Sequence, residues 1–144
     1  VVAPLPLAPP IRATLDAWHD MIARGDLSEL PAFLSERVVF RSPVAHKAYE
    51  GSAAVALILR TAAAVFADFV YHRSFAAADG ASVVLEFSAR VGERTLKGID
   101  MIRFDEQGRI VEFEVMVRPA TGVQALGEAM AAALAGRIGT RNAL

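Results

Sequence analysis

Apolar positions in the first part of the chain recur at helical spacing. Ile11, Leu15, Trp18 and Ile22 share one side of a 3.6-residue wheel, while Asp16, His19, Asp20 and Arg24 fall largely elsewhere. This predicts an amphipathic helix from Ile11, closed by Gly25, with His19 on the wet face. In Asp26-Leu27-Ser28-Glu29 an acid precedes a Glu by three residues, a relative of the capping box. A second helix through Phe33 and Leu34 is therefore expected, kinked or shortened by Pro31. Val38-Val39-Phe40 reads as a strand that Ser42-Pro43 ends, because proline donates no ladder hydrogen bond and restricts the residue before it. Ser52 stands where it can cap a third helix, with Val55, Leu59, Ala62, Phe66 and Phe69 on one side.

The period then changes. Asp79-Gly80, Gly92-Glu93 and Asp105-Glu106-Gln107-Gly108 are turn signals separating apolar-rich runs, the pattern of an antiparallel meander. Val83, Leu85, Phe87, Ala89 and Val91 alternate with Val84, Glu86, Ser88 and Arg90, and Phe113, Val115 and Val117 alternate with Glu112, Glu114 and Met116. Each strand thus has one apolar and one more polar face. After Pro119, Val123, Leu126, Met130 and Leu134 predict a closing helix that runs to Gly136. The expected layout is an extended, partly mobile arm over 1–10, a single domain over 11–136 and a loose tail over 137–144. Helices followed by long antiparallel strands make an α+β fold, with helices on one face of a curved sheet.

At 144 residues the chain suits one domain. Hydrophobic residues make up 54%, an apolar excess that points to burial against a partner subunit or around a cavity. The 15 Lys and Arg are interspersed with 16 acids, so no basic stripe marks a nucleic-acid surface. There is no cysteine, which excludes disulfides and thiolate chemistry. The opening VVAPLPLAPP has prolines and no basic residue, unlike a signal peptide or a spanning helix. The reading is a soluble, cytoplasmic protein with no membrane partner.

Four local features, in order, carry a resemblance. They are Arg24-Gly25-Asp26-Leu27, Phe40-Arg41-Ser42-Pro43, Tyr49-Glu50-Gly51, and Lys97-Gly98-Ile99-Asp100 with Arg103-Phe104-Asp105-Glu106-Gln107-Gly108-Arg109-Ile110-Val111. Together they resemble the NTF2-like superfamily, and within it the SnoaL-like proteins and ketosteroid isomerases, over Ile11 to Pro119. The resemblance implies a cystatin-like cone, a curved antiparallel sheet wrapped over N-terminal helices around a pocket. Relatives include isomerases, polyketide cyclases, dehydratases and epoxide hydrolases, so it also implies a small, largely apolar ligand. Ketosteroid isomerases place a carboxylate base just before the proline that ends the first strand, and here that position is Ser42. A hydroxyl does not shuttle a proton between carbons without a base to activate it. Their oxyanion hole pairs a tyrosine on the first helix with a protonated aspartic acid; Trp18 stands in the first position and Asp100 matches the second.

Asp100 is the leading candidate. Its strand parity groups it with Leu96, Ile102 and Phe104, so it is expected to point to the apolar side, where a carboxyl becomes neutral or finds donors. It either contacts a ligand or is a structural acid bonded to the Trp18 N–H, a loop amide or an Arg. Trp18 serves either a pocket or the core. Phe40, Phe66, Phe113 and Val117 are expected to be shared between core and cavity wall, with Ser42 at the rim. His46, and after it His72, are either candidate acid–base groups or solvated imidazoles, and Arg118 meets either an anionic ligand or a salt bridge to Glu114 or to a partner subunit. No metal spacing, GxGxxG, Walker loop or GxSxG occurs, so no cofactor is expected. A homodimer through the outer sheet face is expected, where Met101, Met116 and Val84 interrupt polar residues, as related folds commonly pair. Two functions stand: a SnoaL-like enzyme using Asp100 on an apolar substrate, or a non-catalytic dimeric binding module.

Overall fold

The computed structural model describes residues 5–142, and side chains as far as Gly136. Helix α1 spans Pro9–Arg24 and a 3-10 turn covers Leu30–Phe33. Strands β1 (Leu34–Arg41) and β2 (Tyr49–Glu50) precede helix α2 (Ser52–Val65). Strands β3 (Ala67–Ala76), β4 (Ser82–Val91), β5 (Arg94–Phe104) and β6 (Ile110–Arg118) lead to helix α3 (Ala120–Asn142). The six strands form one sheet in the order β2-β1-β6-β5-β4-β3. The meander is antiparallel as its turns predict, but β1 joins β6 in parallel, making the sheet mixed.

Helix α1 forms because Pro9 and Pro10 occupy its first turn, where the missing N–H is no loss. Those prolines therefore belong to the helix and not to an arm. The segment ahead of them is docked: Leu5 and Leu7 pack against the core, and Arg12 donates to the Leu5 carbonyl. Residues 1–4 lie outside the described residues. Gly25 ends α1 in the left-handed region at φ 67°, with its N–H on the Ile22 carbonyl and that of Asp26 on the Met21 carbonyl. Asp26 accepts from the Ser28 N–H at 2.9 Å, making a local turn in place of a helix cap. Only the 3-10 turn follows, and Leu34, expected at a helix end, begins β1.

Helix α2 is capped by Gly51 with no side-chain hydrogen bond, so Ser52 is its first residue and not its cap. The helix stops one residue before Phe66. Phe69, expected on the helix stripe, lies in β3. The junction contains Asp68 at φ 54°, a left-handed conformation that Asp tolerates better than most residues. Pairing passes from Ala67 with Arg90 to Val70 with Ser88, so β3 carries one residue too many there and bulges.

The core gathers the inward residues of β4 to β6, namely Val83, Leu85, Phe87, Ile102, Phe113 and their neighbours, against α1 and α2. Gly98 faces Phe87 across β4 and β5, and an added Cβ there meets the Met116 carbonyl oxygen at 2.3 Å and Phe87 Cζ at 2.7 Å. Helix α3 continues beyond Gly136 to Asn142, past the expected end, and closes over the same side of the sheet with Leu126 and Met130 buried. Among the described residues no helix is long and apolar enough to cross a membrane.

Candidate functional site

The helices leave a cavity of about 1150 Å³ against the sheet. Its walls are mostly carbon: Trp18 and Ile22 from α1, Leu59 and Ala63 from α2, Phe66 and Phe69 at the start of β3, Phe113 and Val115 from β6, and Met130 and Leu134 from α3. Val44, on the loop after β1, meets α3 where a Cβ on Gly127 would stand 3.5 Å away, so loop and helix share the rim. A volume at the upper end of small-molecule sites, with few polar groups, suits a ring-sized apolar molecule.

One buried carboxyl faces this space. Asp100 pairs with Leu85 on one side and Val115 on the other, in the middle of the sheet, and is 5% exposed. Its Oδ2 accepts from the Tyr71 hydroxyl at 2.5 Å, and that hydroxyl accepts from Trp18 Nε1–H at 2.9 Å. The relay Trp18, Tyr71, Asp100 fixes one oxygen of the acid. Oδ1 has no protein partner among the described residues and opens to the cavity.

Electrostatics follow from that geometry. Burial disfavours the carboxylate and pushes Asp100 up to about 7, against a smaller opposing pull from the Tyr71 hydroxyl. Burial first, and then the Asp100 charge, hold the Tyr71 phenol well above its ordinary value. Tyr71 therefore remains a neutral donor while Asp100 changes state near neutrality. His19 packs edge-on against the Tyr71 ring at 5.2 Å between centroids, so it is half-buried and not on a wet face. Burial lowers its pKa.

A SnoaL-like domain model matches residues 15–113. The chain belongs to the SnoaL-like domain family. A protein of Pseudomonas aeruginosa described as a steroid delta-isomerase is 62% identical, covering 94% of this chain and 99% of that one, with a TM-score of 0.93. A Silicibacter pomeroyi DSS-3 protein with a cystatin-like fold is 36% identical, over 86% of each chain, with a TM-score of 0.79. The epoxide hydrolase/cyclase-like enzyme SalBIII, 18% identical over 77% of this chain and 92% of its own, shares the fold at a TM-score of 0.63. Comparison with curated proteins found no match.

Within this SnoaL-like frame, Trp18, Phe40, Ser42, Phe66, Asp100 and Phe113 all line the cavity. Ser42 Oγ accepts from the Val44 N–H at 3.1 Å and shapes the rim loop. His46 does not join them: it is exposed on that loop, outside the lining, and makes no contact with Asp100. The loop turns Val44 to the cavity and leaves the imidazole in solvent. Val117 also stands apart, packed on the core opposite Gly98, and the β6 wall ends at Val115. His72 pairs with Ser88 at 2.7 Å on the outer face. Glu114 makes no ion pair with Arg118 among the described residues.

Tyr71, Tyr49 and Arg60 line the cavity without having been singled out from sequence. Tyr71 was findable, since it sits two residues after Phe69 on a strand and both face inward. Reading Phe69 onto the preceding helix hid that alternation. Among the described residues no group of His, Asp or Glu has a metal-binding arrangement.

Proposed function

We propose that the protein is a proton-transfer enzyme for small, largely apolar carbonyl compounds, with Asp100 as both base and acid. The observation that carries this reading is the free Oδ1 of a buried carboxyl, tuned to about 7, at the wall of an apolar cavity. A group half-ionised near neutral pH is suited to taking a proton and giving it back. Ionised Asp100 removes a proton from the carbon beside the carbonyl, and the C–H electron pair becomes the enolate. The protonated carboxyl then returns that proton at the far end of a conjugated enolate, which shifts a double bond. Alternatively the enolate carbon attacks a second carbonyl of the same molecule, whose π electrons move to its oxygen, and that oxygen takes the proton held by Asp100 as the ring closes. Tyr71, held by Trp18, keeps the acid's other oxygen in place.

The 62%-identical steroid delta-isomerase supports a steroid-sized substrate for this chemistry. Ser42, in the position where ketosteroid isomerases hold their base, requires that Asp100 work alone. Wash-in of solvent deuterium beside the carbonyl, followed by NMR over a panel of cyclic unsaturated ketones, detects enolisation whatever the product. Exchange that Asp100→Asn lowers by about 100-fold or more supports the reading. No exchange across the panel, or exchange indifferent to the substitution, sinks it and leaves ligand binding without turnover. That second reading is favoured by Ser42 and Trp18, which stand where ketosteroid isomerases hold their base and their tyrosine.

We also propose a homodimer through the outer sheet face in a cytoplasmic protein. Support comes from Val70, Phe75, Met101 and Met116, 50%, 49%, 37% and 45% exposed, which lie on that face with Val84, the cross-strand partner of Phe75. Light scattering at micromolar concentration that returns the monomer mass removes the dimer.

A further inference from the structure

The cavity contains a cationic group that proton transfer leaves unused. Arg60, on α2 between Leu59 and Thr61, lines it as the one cationic side chain among the described lining residues. Its Nε is buried without a hydrogen-bond partner, and its guanidinium has no ion pair among the described residues. Four other arginines have acid partners, Arg24 with Asp20, Arg73 with Glu86, Arg90 with Asp68 and Arg103 with Glu112, Arg12 donates to the Leu5 carbonyl, and Arg37, Arg41, Arg94, Arg109 and Arg118 are exposed to water. The two acids of the cavity are engaged, Asp26 with the Ser28 N–H and Asp100 with Tyr71. A buried donor without an acceptor is costly, and native structures rarely keep one without a use. Around Arg60 the walls are apolar, so an anion arriving there meets a charge weakly screened by water.

We propose that Arg60 anchors an anionic end group, a carboxylate or sulfonate, on a ligand whose apolar body fills the cavity. The planar guanidinium donates to two oxygens of such a group at once, and Nε is one of the donors this geometry uses. The substrate class narrows from neutral apolar ketones to amphipathic acids. This inference rests on the cavity being a ligand site, and not on the proton transfer assigned to Asp100.

Two fluorescent probes with one skeleton test it: 8-anilinonaphthalene-1-sulfonate and N-phenyl-1-naphthylamine, which lacks the sulfonate. Binding is followed by energy transfer from Trp18, the chain's single tryptophan, which lines the cavity. The wild-type protein is expected to favour the sulfonate by about ten-fold, the scale of one charge-assisted contact. Arg60→Gln should remove that preference and leave the neutral amine's affinity unchanged, which also shows that the variant is folded. Arg60→Lys should fall between them. Equal loss for both probes, no loss for either, or no binding of either probe to the wild type overturns the proposal. Retained sulfonate preference alongside absent deuterium exchange sinks only the proton transfer; exchange without the preference sinks only the Arg60 anchor.

Discussion

Replacing Asp100 by Asn should make the protein more stable above neutral pH. In the folded chain the acid sits at about 7 against an ordinary 3.8, so the folded state binds the proton more tightly than the unfolded state. Stability is therefore fullest below about 3.8, declines as the pH rises from there to about 7, and is level above. The interval corresponds to about 4 kcal/mol, at about 1.4 kcal/mol for each tenfold change in proton affinity. Asparagine occupies the same volume, still accepts from Tyr71, and carries no charge to desolvate. For a domain of this size each kcal/mol moves the melting temperature by about 2–4 °C, so the variant should gain on the order of 10 °C at pH 8 and little at pH 4. Thermal and urea unfolding of both proteins from pH 4 to pH 9 give the difference curve, in which titrations common to both cancel. Parallel wild-type and variant curves across that range would refute the reasoning. So would an Asp100 carboxyl carbon titrating near 4 by NMR.

Three further outcomes are expected. Tyr71→Phe removes the donor that pulls Asp100 down and the acceptor of Trp18 Nε1–H, so the carboxyl should titrate higher and stability should fall by about 1–3 kcal/mol, read by NMR and urea unfolding. Gly98→Ala puts a methyl into the Met116 carbonyl and the Phe87 ring, and should cost about 1–3 kcal/mol or more; a neutral result in urea unfolding would mean the two strands part there without penalty. Glu86, on the outer face, is held far below its ordinary 4.5 by Arg73 first and then Lys97. Its contribution is present above 4.5 and lost as the pH falls through that value toward the folded one, so Glu86→Gln should lower the melting temperature at pH 7 and progressively less toward pH 3.

What periodicity could reveal depended on how regular each stretch was. Asp100 was legible because β5 alternates without interruption from Leu96 to Phe104, so parity alone sends it inward. Trp18 followed from an unbroken helical stripe. The parallel pairing of β1 with β6 was not legible, because nothing local in either strand records its partner. His46 misled because a loop has no period, and a titratable side chain beside cavity residues in sequence can still face water. Arg60 carries no signal in the sequence; its meaning lies in the acceptors missing around it, which only the folded arrangement shows.

The bulge at Asp68 decides which chemistry the cavity holds. Counted in regular register from the Ala67 and Arg90 pair, Val70 would sit opposite Phe87 and His72 opposite Leu85, both on the inward face. The extra residue moves each by one place and brings Tyr71 opposite Phe87 instead. Asp100 thereby faces a neutral phenol that orients it, where an imidazole would otherwise compete for its proton. A single residue of slack, at a position outside the cavity, separates an acid that works alone from a carboxyl–histidine pair with a different pH response. Changes at the α2–β3 junction are thus a route by which this scaffold can exchange one proton-transfer site for another with no substitution among the residues of β3 that face the cavity.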